Sequence, residues 1–212
     1  MKKHILCLGD SNTHGLCGDP SDCADGGTRY NEEERWPCLL QKALGDDYLV
    51  IEEGLSGRTT VVDDPLMEGM SALSVLSSIL MSHEPIDLLI VMLGTNDTKE
   101  RFNLNALCIG MGMERLLKKA RTIECWGTKE PNILLVAPPK IMGDRSHTPM
   151  GAGCVEKSEQ LSAVYKALAE QLGVHFMDAA GCDINKVDDI HLSKKGHLQL
   201  AERFIKIVPE IC

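Results

Sequence analysis

The amino-acid sequence predicts a three-layer α/β/α sandwich around a five-stranded parallel sheet, and three observations carry that expectation. Short apolar runs alternate with stretches of helical periodicity along the chain, the pattern of a parallel sheet covered by helices on both faces. The most apolar run, 86–93, has the composition of a central strand buried on both sides. Three runs end in small, polar, turn-forming residues around Ser11, Gly57 and Asn96. Strands of open α/β sheets end in this way at the carboxyl edge, where ligands bind.

The first strand is the run 4–8, stopped by Gly9-Asp10-Ser11-Asn12-Thr13-His14-Gly15. Residues 16–35 follow as a polar connection rich in Gly, Asp and Cys, of a length at which loops are functional or disordered. Leu39, Leu40, Ala43 and Leu44 have helical spacing before a stop at Gly45, and 48–51 is the second strand. Met70, Leu73, Leu76, Ile79 and Leu80 predict a helix of about sixteen residues from Glu68 onward. Beyond the third strand, 86–93, a helix is expected over 105–126, a fourth strand over 132–137 and a second long surface loop over 138–154. Leu161, Val164, Leu168 and Leu172 mark a helix, 174–177 a short fifth strand, and Leu198, Leu200, Phe204 and Ile207 a last helix. In one domain spanning 1–212, five such strands suggest the flavodoxin-like order 2-1-3-4-5, whose switch point lies beside strand 1. Ser11 falls at that point.

A chain of 212 residues can bury a full core without disulfide or metal staples. Its 43% hydrophobic and 25% charged residues are the composition of a globular protein, neither disordered nor membrane-embedded, and no apolar run is long enough to span a bilayer. Lys2-Lys3 ahead of an apolar stretch has the outline of a secretory leader, but the stretch ends at Gly9-Asp10 with no small-residue cleavage site, so it is read as the first strand. Nine scattered cysteines without a CxxC pair argue against a disulfide framework or zinc site and for reduced thiols in a cytoplasmic protein. A net charge of -9 with no basic stripe argues against nucleic acid as a partner. Neither a metal nor a cofactor is expected, and no membrane partner.

Ser11 alone is as consistent with ordinary loop chemistry as with a nucleophile. The late block Asp188-Asp189-Ile190-His191-Leu192-Ser193 changes that balance. A carboxylate three residues before a histidine reaches round one tight turn and accepts a hydrogen bond from the imidazole Nδ1, the orienting arrangement of a Ser-His-Asp triad. Asp189 is the alternative acid. Parallel pairing of the strands brings Ser11, Gly57 and Asn96 to the same edge. Asp10 and Asp97 are read as structural groups of their turns, His14 as solvent-exposed, and His197 as capping or packing in the last helix. Trp36 is placed as a substrate-binding residue, with a helix-start anchor in the core as its other reading.

Together these residues resemble the SGNH hydrolase family of GDS-type esterases and lipases. Gly9-Asp10-Ser11 is similar to the nucleophile block, Gly57 within Gly54-Leu55-Ser56-Gly57-Arg58-Thr59-Thr60 to the glycine block, Gly94-Thr95-Asn96-Asp97 to the asparagine block, and Asp188-x-x-His191 to the histidine block. The four stand in family order, and the likeness covers residues 4–197. The segments 51–56 and 92–99 further resemble the bacterial arylesterases that also transfer acyl groups, with glycine at position 57 where that subgroup has alanine. The resemblance implies a cofactor-free carboxylic ester hydrolase acting on a small-molecule ester. Ser11 would be its nucleophile, His191 its base and Asp188 the orienting acid, with Ser11 N–H, Gly57 N–H and the Asn96 amide facing the oxyanion. It also implies a homo-oligomer whose subunits narrow the mouth of the site, with loops 16–35 and 139–154 as the available material. A carbohydrate O-deacetylase needs the same triad in a more polar cleft. A non-catalytic flavin or phosphate module is the remaining reading, opposed by Asp10 where phosphate would lie and by only 4% aromatic residues.

Overall fold

The structure is a computed structural model and describes residues 2–212. Strands β1 (Lys3–Gly9), β2 (Tyr48–Gly54), β3 (Leu88–Met92), β4 (Ile133–Ala137) and β5 (His175–Asp178) form one parallel sheet in the order β2-β1-β3-β4-β5. This is the expected architecture. Every residue of β3 and β4 is buried, because each strand has a neighbour on both edges and helices on both faces. That double covering is why their sequences run apolar without alternation.

Successive residues of the central strands face two separate cores. Leu6, Leu8, Leu89 and Val91 pack beneath α3 (Ala72–Ser82), α4 (Ala106–Thr122) and α5 (Cys154–Leu172). Ile5, Cys7, Leu88 and Ile90 face the other way, beneath α2 (Trp36–Leu44) and α6 (Lys194–Ile211). Burying one such aliphatic side chain is worth about 1.5–3 kcal/mol, so the two cores hold the sheet rigid and its carboxyl edge becomes a fixed platform.

Two helix boundaries differ from expectation, each for a local reason. α3 begins at Ala72, not Glu68, because Thr59 donates its N–H to the Met70 carbonyl and accepts one from Ala72, holding the intervening backbone extended. α4 ends at Thr122, and Trp126 folds back so that its Nε1 donates to the Ala120 carbonyl. α5 starts at Cys154, where the expected loop ends, and its buried face opens with Cys154 and Ser158.

Both long connections fold onto the segment that precedes α6. Loop 16–35 closes on itself through the Cys17 N–H to Thr28 carbonyl bond and a small core of Cys17, Cys23 and Tyr30. Asp22 then accepts from the Lys194 N–H at the head of α6 and from the Tyr30 hydroxyl. The loop ahead of α5 reaches the same segment through the Met142 N–H, which donates to the Asp189 carbonyl at 2.8 Å. All nine cysteines are free thiols. Among the described residues no helix is long and apolar enough to cross a membrane, and no group of three or more His, Cys, Asp or Glu is placed to hold a metal ion.

Candidate active site

β1 delivers Ser11 to the carboxyl edge of the sheet, where the chain turns at once into the one-turn helix α1 (Ser11–His14). Asp10 caps that turn: its Oδ1 accepts from the Asn12 N–H at 2.9 Å. The capping carboxyl is fully enclosed, and burial raises its pKa against the opposing Asn12 hydrogen bond. Asp10 is thus structural in its geometry. Ser11 itself is 5% exposed.

His191 arrives from the far end of the sequence with its Nε2 2.8 Å from Ser11 Oγ and its Nδ1 2.6 Å from Asp188 Oδ2. Burial alone would push the Asp188 carboxyl up. The hydrogen bond and charge of His191 and the backbone N–H groups of His191 and Ile190 outweigh it, and the acid is held well below the usual carboxylate range. An ionised carboxylate can only accept, so Nδ1 carries a proton toward it, and in the neutral ring Nε2 is then the acceptor turned toward the Ser11 hydroxyl. Asn185 completes the turn: its Oδ1 accepts from the Val187 and Asp188 N–H groups, and its Nδ2 donates to Asp188 Oδ1 at 2.9 Å.

The ends of β2 and β3 close the other side. Leu55 donates its N–H to the Gly9 carbonyl, and the Arg58 side chain, also buried, reaches back to the carbonyls of Gly9 and Glu53. Asn96 Nδ2 donates one hydrogen to the Arg58 carbonyl at 3.0 Å, which orients the amide and leaves its second N–H free to meet a ligand. Gly57 has φ +91°, a conformation suited to glycine, and a Cβ there would press on Met70 Sδ at 3.2 Å and Met67 Cε at 3.3 Å. Two thioethers therefore fill the space that an alanine methyl would need. Among the described residues, the N–H groups of Ser11 and Gly57 have no protein acceptor. The arrangement can activate a hydroxyl and offer donors to an anionic oxygen.

The GDSL-like Lipase/Acylhydrolase family matches residues 7–198 of the sequence. The chain belongs to this family. It is a carboxylic ester hydrolase, similar over its length to solved esterases. The native aryl esterase of M. smegmatis shares 36% identity, with 99% of this chain and 100% of that one covered and a TM-score of 0.88. A carbohydrate acetylesterase from Sinorhizobium meliloti shares 37% identity, with 100% of both chains covered and a TM-score of 0.88. A lipolytic G-D-S-L protein from Veillonella parvula, at 15% identity, 98% coverage of each chain and a TM-score of 0.70, shares the fold. No curated protein matches the sequence.

Within this GDSL-like acylhydrolase, Trp36 requires correction. Its side chain is 0% exposed, stacks on Phe204 with ring centroids 4.6 Å apart, and donates Nε1–H to the Asn12 carbonyl at 3.1 Å. A ring with its one polar group satisfied inside the core lines no cleft; it props the nucleophile turn from beneath. His197 acts in the same layer, accepting from the Trp36 N–H, and burial lowers its pKa to about 3, so it stays neutral. His14 is half-buried rather than exposed. Asp97 is enclosed and accepts from the Thr60 N–H and hydroxyl, tying the segment after β2 to the one after β3. Asp189 turns away from the imidazole and pairs with Arg145 at 3.1 Å. Sequence reading assigned no role to Asn12, whose Oδ1 accepts from the Leu192 N–H at 2.9 Å and so ties the serine turn to the histidine block, or to Asn185. An asparagine three residues ahead of the acid is a turn signal, and it was legible as such.

Proposed function

We propose that this acylhydrolase is a serine esterase that hydrolyses short acyl groups of small carboxylic esters through an acyl-enzyme on Ser11. The observation that carries the reading is the continuous hydrogen-bonded line from Ser11 Oγ through His191 to Asp188, at 2.8 and 2.6 Å. In the first half-reaction His191 Nε2 takes the Ser11 proton as Oγ bonds to the ester carbonyl carbon, and it returns that proton to the departing alcohol. In the second, water attacks the acyl-serine, giving a proton to Nε2, and collapse of the tetrahedral intermediate frees the acid as Oγ recovers its proton. Asp188 orients the ring and offsets the imidazolium charge, while Ser11 N–H, Gly57 N–H and Asn96 Nδ2 meet the oxyanion in both steps.

Exposed apolar side chains on the surrounding loops, Leu55, Met67, Met142 and Val187, favour an apolar acyl or alcohol portion. They also favour an alcohol over water as acyl acceptor, which is acyl transfer on the same intermediate. A carbohydrate O-deacetylase is the second reading, supported by the 37% identity to a carbohydrate acetylesterase. Nine free thiols suit a reducing, cytoplasmic setting.

The test is a panel of p-nitrophenyl esters of increasing acyl length set beside acetylated sugars, with a serine-directed phosphonate to locate the nucleophile. The reading requires fastest turnover of short apolar esters, a single phosphonate on the Ser11 peptide, and loss of activity in Ser11→Ala. Preference for acetylated sugars installs the second reading, and full activity in Ser11→Ala removes both.

A further inference from the structure

Asp188 and Asp189 are adjacent carboxylates, and only one of them faces His191. The loop ahead of α5 supplies the group that separates them. Arg145 Nη1 donates to the Asp188 carbonyl at 2.8 Å, and Nη2 donates to the Asp189 carboxylate at 3.1 Å. One guanidinium thus grips the main chain of one residue and the side chain of the next. The Met142 N–H holds the Asp189 carbonyl from the same loop at 2.8 Å. Asp189 has φ +56°, in the left-handed region that aspartate enters more readily than most residues, and the Arg145 and Met142 contacts add to the turn's own Asn185 bonds in holding it there. Without them the pair could rotate and offer the wrong carboxylate, or neither.

We propose that Arg145 is a positioning residue of the esterase reaction. It fixes the 188–189 turn so that Asp188 Oδ2 meets His191 Nδ1 and the Asp189 carboxylate is drawn away from the ring. The inference rests on the Ser11–His191–Asp188 reading. The planar fork of arginine suits two acceptors held at a fixed separation, whereas a lysine ammonium acts as a point charge and does not reproduce that fork.

The experiment compares Arg145→Gln and Arg145→Lys with the wild type by kcat and KM on one p-nitrophenyl ester, by phosphonate labelling rate, by thermal melting, and by the downfield NMR signal of the Nδ1–H shared between His191 and Asp188. In Arg145→Gln, kcat falls by about ten- to a hundredfold while KM holds within about twofold, the scale expected of a misplaced group acting at a distance. Ser11 still takes one phosphonate, more slowly, and the downfield proton weakens. Arg145→Lys, which keeps charge and bulk and so guards against misfolding, regains part of kcat and not all. Unchanged kcat and an unchanged Nδ1–H signal in Arg145→Gln overturn the proposal. So does a kcat loss in both variants that only tracks a lower melting temperature and disappears on cooling. A wild-type protein that takes no phosphonate at Ser11 fails the function reading instead, and that result is distinct from either outcome.

Discussion

Four hydrogen bonds converge on the Asp188 carboxylate, from Asn185 Nδ2, the Ile190 and His191 N–H groups and His191 Nδ1. An asparagine at 188 keeps the shape but stabilises the wrong tautomer and carries no charge, and the comparable change in serine proteases costs on the order of 10⁴ in kcat. Asp189→Asn should cost less than about tenfold, because an amide oxygen still accepts from Arg145. Measuring kcat for both variants under one set of conditions decides the ranking, and the reverse order would move the acid one residue along. Gly18 presses on the same carboxylate from loop 16–35: a Cβ there would lie 2.1 Å from Asp188 Oδ2 and 2.6 Å from Asn185 Nδ2. Gly18→Ala is therefore expected to displace the acid and lower kcat with little change in melting temperature; equal kcat in the two proteins would show that the turn yields without consequence. Asn96→Ala removes a donor whose proposed partner acquires charge only in the transition state, so kcat should drop on the order of 10²–10³ at nearly constant KM. A rise in KM at constant kcat would make Asn96 a binding group.

Where the segments after β2 and β3 meet, the Asp97–Thr60 bonds tie two elements together, and the burial of the Asp97 carboxyl gives stability a pH dependence. Burial lifts the Asp97 carboxyl to about 6, against the pull of the Thr60 donors, whereas in the unfolded chain an aspartate titrates near about 3.9. The folded protein thus holds a proton that the unfolded chain has already released. Stability from this group is present below about pH 4 and is lost as pH rises through about 6, a span worth on the order of 3 kcal/mol. Asp97→Asn never ionises, so chemical denaturation from pH 4 to 7 should show the variant gaining on the wild type across that interval; a flat difference would count against a protonated Asp97. Its place in the chain, like those of Ser11, Gly57 and Asn96, was legible because each follows an apolar run and strand ends are fixed by hydrophobic pattern. Trp36 was not, since a tryptophan satisfies a cleft or a core equally well by composition. Arg145 was invisible for another reason: its loop has no periodicity, and its acceptors lie 43 and 44 residues away, one of them a backbone oxygen with no sequence signature.

At the scale of the whole molecule, Leu107 and Met111 stand one turn apart on α4, each 68% exposed, while the apolar side chains around Ser11 are also open to solvent. A second copy of the chain covering such surface accords with the homo-oligomer that the sequence resemblance implies. Light scattering at micromolar concentration should return more than one subunit, with Leu107→Glu and Met111→Glu together shifting the mass downward if α4 lies in the contact; a wild-type monomer would dismiss the assembly. The Ser11 to His191 hydrogen bond joins residues 180 positions apart. On the proposed reading, the chain hydrolyses no ester until the segment that carries His191 has docked against the strand end that carries Ser11. In a refolding vessel the same separation makes a chromogenic ester a clock for one long-range closure of the chain, with colour appearing only after helical dichroism has recovered.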